Sequence, residues 1–381
     1  MSIELMKVCA RDMPARAAWA AGLTVRVPAA LAPWFEQPAA AWDDRDLRDE
    51  ARKAAEHLRL RAAFTDIPPA SSRLPVSYRA VPGPVRRLIA GAIGRWQRGR
   101  AETWSKFPGW PLDLSSDLVA DVSGVPTIKF ERTPVLLTHD IDSAEGLENL
   151  QRWFLPAEEA IGARSTSYVV PCAWPLDHGL LAETVARGHE IGVHGYDHAN
   201  KTPFVTPHER RQRLDAGRAF GDRYGATGYR APSLLRTAAL IADLGPRYRY
   251  DASIPTSGGA FPVPNNGCAS ARPWQIGDLW EVPLTLPRDG SLRFLGYDPQ
   301  AIGKLWRDTA ITIARSGGIV SLLTHCESGF SGNPAMLGAY RSFIEWLASD
   351  ARFEFTRSDR LVSYVERMDI TSGAHHQQSH G

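Results

Sequence analysis

The chain has 381 residues, 44% hydrophobic and 23% charged, which is ordinary for a globular protein and too long for the commonest single-domain size. Its 44 lysines and arginines against 42 aspartates and glutamates leave a net charge of +2. No global field for nucleic acid exists, and no such partner is expected.

The opening "MSIELMKVCARDMPARAAWAAG" puts acids and arginines where a signal peptide needs an apolar core. No window reaches the roughly 18 apolar residues of a membrane span. Cys9, Cys172, Cys268 and Cys326 form no C-x-x-C pair, which fits a reducing compartment, so a cytoplasmic location is expected. Residues 41–64 set Leu47, Ala51, Ala54, Ala55, Leu58 and Ala62 on one helical face. A Pro-rich stretch follows at 68–84. Then "VRRLIAGAIGRWQRGR" (85–100) carries five arginines and no acid, with Leu88, Ile89, Ala92, Ile93 and Trp96 on one side. That stripe is expected to pack on the rest of the protein. Peripheral contact with an anionic membrane is the alternative. "WSKFPGWPLDLSSD" (104–117) offers Trp104, Phe107 and Trp110, either to roof a cleft or to glue this region down.

Near residue 130 the pattern changes to short apolar strands alternating with amphipathic helices. Strands are expected at 134–140, 165–170, 189–195, 227–232, 279–286, 317–325 and 352–356. Helices are expected at 177–187, 233–243, 299–315, 334–348 and 358–368. Another opens at Thr206, with Pro207 and Glu209 completing a capping box, and stops at Gly225. This alternation predicts an α/β fold, a distorted and nearly closed (β/α) barrel of about seven strands. The expected organisation is an N-terminal, mostly helical or irregular appendage (1–130), the barrel (131–370) and a structureless tail (371–381). Three histidines in that tail, His375, His376 and His380, could bind metal adventitiously, but a frayed end is the expected reading.

Four expected strands end in chemistry-bearing residues: "THDID", "HGYDH", "RAP" and "LTH". Strand C-termini of a β/α barrel converge on one face, where active sites form. His194 and His198, spaced i, i+4, can face one metal if the chain turns helically after its strand, with Asp142 as third ligand. Two histidines and an aspartate leave positions open for water and a substrate oxygen. Asp140 lies on the same side of an extended chain as Asp142 and suits a general base, with Arg230 as its orienting cation. His325 suits the acid that protonates a leaving amine. Asp197 is expected at the surface, and His139 buried or at the rim.

In order, these segments resemble the five motifs of the NodB-homology polysaccharide deacetylases, carbohydrate esterase family four. "THDID" is similar to the first motif in its D-x-D form. "HGYDH" matches H-S/T-x-x-H with Gly195 in place of the hydroxyl residue. "RAPS" matches the third with Ser233 in place of tyrosine, "YDASIP" (250–255) the fourth, and "LTH" (323–325) the fifth. The resemblance covers about residues 130–370 and implies a (β/α) barrel, often seven-stranded. It implies a divalent ion, zinc first, with cobalt, manganese or nickel as alternatives, held by Asp142, His194 and His198. Asp140 would be the base, Arg230 its tuner and His325 the acid. Leu323 would line the acyl-methyl pocket, and a backbone N–H after Pro232, that of Ser233, would help hold the oxyanion. Asp251 and Ser253 of the fourth motif would join the substrate-binding residues.

The expected function is metal-dependent removal of an N-acyl group, acetyl first, from a sugar or polysaccharide of surface glycan metabolism. The alternatives are a deformylase of a lipid-linked amino sugar, an amidase of a non-sugar substrate, and a catalytically silent glycan- or membrane-binding module.

Overall fold

The computed structural model describes residues 3–7, 15–28, 45–61, 63–65, 67–73, 81–101, 107–125, 127–128, 130–257 and 267–378. Two short antiparallel pairs come first: β1 (Ile3–Lys7) with β2 (Thr24–Pro28), and β3 (Pro108–Gly109) with β4 (Leu112–Asp113). The other strands form one nine-stranded sheet. They are β5 (Thr133–Ile141), β6 (Thr166–Val169), β7 (Glu190–Val193), β8 (Gly228–Tyr229), β9 (Tyr250–Asp251), β10 (Trp274–Ile276), β11 (Leu279–Glu281), β12 (Val320–His325) and β13 (Phe353–Phe355).

Their order is β10-β11-β9-β8-β7-β6-β5-β12, with β13 also on β5, and every pairing is parallel except β10 with β11. The N–H groups of Thr285 and Leu286 both donate to the Ser321 carbonyl, at 3.3 and 3.0 Å. That brings the chain beyond β11 against β12, so the sheet curls round as a distorted (β/α) barrel. Its seven consecutive parallel strands run from β11 to β12, but they are not the seven expected. β9, two residues long, takes a place in that run, while the expected strand at 352–356 is the side strand β13. β9 and β10 are too short to show a period of two.

β5 is buried along its whole length, because helices cover its outer side and side chains fill the barrel. Leu136 faces inward with Tyr168 and Tyr250, while Leu137 and Ile141 face the outer helices. Inward-facing Thr138 and Asp140 therefore follow Leu136 on alternate residues. The helix Pro207–Asp222 begins as its capping box predicts, Thr206 accepting from the Glu209 N–H. The helix expected at 233–243 instead starts at Ala238, capped by Thr237, after a 3-10 turn at Pro232–Leu234. The last helix runs from Ser358 to Gln378, into the tail expected to lack structure. No proline stops it there, and alanine and glutamines sustain a helix. His380 lies outside the described residues.

Helix Ser115–Ser123 is entirely buried and carries two acidic anchors. Asp117 accepts from the Ala271 N–H (2.7 Å) and Ser270 Oγ (2.6 Å), and Asp121 forms a two-pronged pair with Arg272 at 2.7 Å. Ala51, Ala55 and Leu58 of helix Arg45–Arg61 share one core with β5 and the outer helices. Phe107 is fully buried against Trp19, and Trp110 stacks on Tyr297 at 5.8 Å, so both act as glue. Trp104 lies outside the described residues. The expectation for 85–100 is corrected. Helix Gly83–Arg98 packs through buried Gly94, while Leu88, Ile89, Ile93 and Trp96 are exposed. A glycine allows a closer approach than any leucine would, so the small side became the packing side.

Candidate active site

β5 delivers Thr138 and Asp140 to the barrel mouth, and Asp142 follows directly after it. Ser143 then caps the helix Ala144–Asn149, its Oγ accepting from the Gly146 N–H. β7 ends at Val193, placing His194 at the mouth. His198 arrives by a different route from the helical turn expected. Gly195, His198 and Asn200 have φ of 66°, 55° and 62°, so the chain coils through left-handed residues rather than a helix. Gly195 is required twice over: by its φ, and because a Cβ there would lie 2.4 Å from the Pro232 ring.

The two imidazoles meet edge to face, with centroids 5.2 Å apart. His194 Nε2 lies 3.6 Å from Asp142 Oδ1, and His198 Nε2 lies 3.4 Å from Asp142 Oδ2. One ligand atom from each of the three residues lies within 4.8 Å of the others. Two atoms that each sit about 2.1 Å from one tetrahedral ion are about 3.4 Å apart, so this spacing fits a shared cation. His194 Nδ1 faces the Arg230 carbonyl at 3.0 Å, so Nδ1 carries a proton and Nε2 is the nitrogen turned to the site. That Nε2 is buried and makes no hydrogen bond, a cost that a bound ion would remove. The residues present therefore fit a divalent metal.

Asp140 is buried, and its Oδ1 accepts from Arg230 Nη1 at 3.0 Å. Arg230 is itself fully buried. It also donates to Thr138 Oγ1 and the Ala252 carbonyl at 2.9 Å, and lies 4.0 Å over the Tyr168 ring. Burial pushes the Asp140 carboxyl up, but His194, Arg230 and His325 outweigh it and hold it at about 2. On β12, His325 stands in register with Asp140. His325 Nδ1 contacts Asp289 Oδ1 at 2.8 Å, and Asp289 Oδ2 accepts from the His325 N–H (2.9 Å) and Ser331 Oγ (2.7 Å). Burial opposes the imidazolium, yet Asp289, then Asp140 and Asp142, raise His325 to about 9.

Leu323, two residues before His325 on β12, is fully buried beside Leu234 and Leu284, an apolar group under the mouth. Ser233 and Leu234 both have positive φ, 53° and 56°, strain of the kind that collects at functional turns. Pro232 is buried against Gly195. Asp251 and Ser253, expected to join the substrate-binding residues, are fully buried. Ser253 Oγ donates to Asp251 Oδ1 (2.6 Å) and accepts from the Ala231 N–H (2.7 Å), so the pair braces the Arg230–Ser233 turn from below. Glu281 beside them accepts from the Ile254 N–H, and burial with Asp251 pushes its carboxyl well up. His139 points away from the mouth, held between Thr324 Oγ1 (2.9 Å) and Glu158 Oε1 (2.8 Å). Asp197 turns back to its own loop, accepting from the Ala199 N–H.

Two acids escaped the sequence reading. Asp289 lies in a short helix with no motif around it. Glu327 follows His325 by two residues and accepts from the Asp142 N–H (3.1 Å) and Ser143 Oγ (2.8 Å). Its place just after a strand end was a usable signal.

A His–His–Asp cluster with both imidazoles buried thus stands beside an Asp–Arg pair and a His–Asp pair at one barrel mouth, an arrangement able to hold a cation and to move protons. No protein-family model matches the chain, and no curated protein matches it either. Solved structures do. A protein of Mycobacterium smegmatis classed among polysaccharide deacetylases aligns over 64% of this chain and 96% of its own, with a TM-score of 0.50 and 18% identity. One of Pseudomonas aeruginosa PAO1 in the same class aligns over 68% and 98%, with a TM-score of 0.50 and 15% identity. The barrel has the fold of the NodB-like polysaccharide deacetylases.

Proposed function

We propose that this protein is a divalent-metal hydrolase that removes an N-acyl group, acetyl first, from a sugar or polysaccharide. The observation that carries the reading is the meeting of Asp142, His194 and His198 with Asp140–Arg230 and His325–Asp289 at one mouth. Asp142, His194 and His198 would hold the ion. When bound, it would supply positive charge that polarises an amide carbonyl and acidifies a nearby water.

The chain's own groups handle the protons. Asp140, ionised and fixed by Arg230, accepts one from the attacking water as its oxygen bonds to the acyl carbon. His325, protonated at neutral pH, gives one to the nitrogen as the C–N bond breaks, leaving an amine and a carboxylic acid that then ionises in water. The Ser233 N–H is the proposed partner of the developing oxyanion, and the Leu234, Leu284 and Leu323 group is the proposed seat of the acyl methyl. Zinc is the first choice of ion, because two imidazoles and one carboxylate are a common zinc set. A cytoplasmic location is part of this proposal, and the free thiols of Cys172, Cys268 and Cys326 support it.

A lipid-linked acyl sugar is the second substrate reading, favoured by the exposed basic helix Gly83–Arg98. The test is release of acetate or formate from N-acylated oligosaccharides and lipid-linked amino sugars, with and without a chelator. Asp140→Asn and His194→Ala should each lose at least about a hundredfold in rate. Full activity in both variants, or no stoichiometric divalent ion in the purified protein, would sink the reading, the latter in favour of a silent binding module.

A further inference from the structure

The helix Gly83–Arg98 presents the wrong side to water. Its packing side is small, and a Cβ on Gly94 would lie 2.1 Å from the Phe294 carbonyl oxygen. Its apolar side looks outward, with Leu88 70%, Ile89 52% and Trp96 65% exposed, and Val85 and Ile93 exposed beside them. At 3.6 residues per turn, 85, 89, 92 and 96 align as one stripe, flanked by 88 and 93. A helix that only braced the barrel would bury that stripe, because taking large apolar side chains out of water stabilises a fold. Arg86, Arg87, Arg95, Arg98 and Arg100 add five positive charges, with no acid between residues 83 and 101. The Arg100 guanidinium lies 4.5 Å over the Trp96 ring.

We propose that this helix is a docking surface for an anionic lipid bilayer. Its stripe would enter the headgroup boundary, and its arginines would meet phosphates. That occupant offers apolar depth and excess negative charge on one face, matching both features of the helix. At 16 residues the helix suits lying in the interface, and no helix among the described residues is long and apolar enough to cross a membrane. The docking face borders the candidate active site: Arg87 reaches Gly329, and Phe330 beside it packs on His325 at 4.8 Å. The docking does not depend on the hydrolase reading.

The test is flotation of the full chain with vesicles of phosphatidylcholine, alone and mixed with phosphatidylglycerol. Binding should require phosphatidylglycerol, weaken with salt, and fall about fivefold on Arg95→Gln. The triple variant Leu88→Ser, Ile89→Ser, Trp96→Ser should bind at least about tenfold more weakly while keeping the parent's thermal transition. Equal binding to both vesicle types overturns the proposal, as does a triple variant that floats like the parent. So does a parent that ignores both vesicles, including one that forms dimers split by Leu88→Ser.

Discussion

Asp289 shows how one side chain far from any motif can set the chemistry of another. It holds His325 by two contacts, to Nδ1 and to the backbone N–H, and is the largest influence raising the imidazole to about 9. As the proposed acid, His325 must carry its proton to work, so that role is present below that pH and lost as the pH rises through it. Asp289→Asn removes the main cause of the rise. The alkaline limb of a pH–rate profile should then move to lower pH, towards the ordinary histidine range. An unmoved limb would show that His325 is not the group titrating. The sequence made His325, Asp140, Asp142, His194 and His198 legible because each stands at or just beyond the end of an apolar run. It could not show Asp289, because contact across 36 residues of sequence leaves no local mark. Asp251 and Ser253 are the opposite case: their pattern is local, and the structure adds that the chain buries them beneath the turn they brace.

At the scale of elements, long apolar runs were readable and short ones were not. β5 and β12 emerge from periodicity, while β9, with two residues, takes its strand state from Tyr229 and Trp280 on either side. The left-handed coil through His198 was equally hidden, since helical spacing gives the same i, i+4 pattern without the same path. Gly146 ties an element to the site. A Cβ there would lie 2.3 Å from Glu327 Oε1, the oxygen that accepts from the Asp142 N–H. Gly146→Ala should push that carboxylate aside and loosen Asp142, weakening metal affinity about tenfold. Isothermal titration with zinc would measure it, and the thermal transition of the metal-free protein should change little.

For the whole molecule, residues 15–125 supply described core that is continuous with the barrel's own. Arg272 joins the two, bound to Asp121 on the buried helix and donating to the Ser316 carbonyl. Arg272→Ala strips the buried Asp121 of its guanidinium, although the Trp19 indole still donates to it at 2.7 Å, and should cost about 3 kcal/mol. Urea denaturation should show one transition, shifted but not split; two separated transitions would mean that the regions fold independently. The register of β12 against β5 has one more consequence. His325 and Asp140 sit opposite each other on hydrogen-bonded neighbours, whose spacing is fixed at about 4.8 Å by the ladder itself. The main-chain separation beneath the proposed proton giver and proton taker is thus a caliper set by the sheet. Loops around the mouth can be redrawn without moving that main-chain spacing.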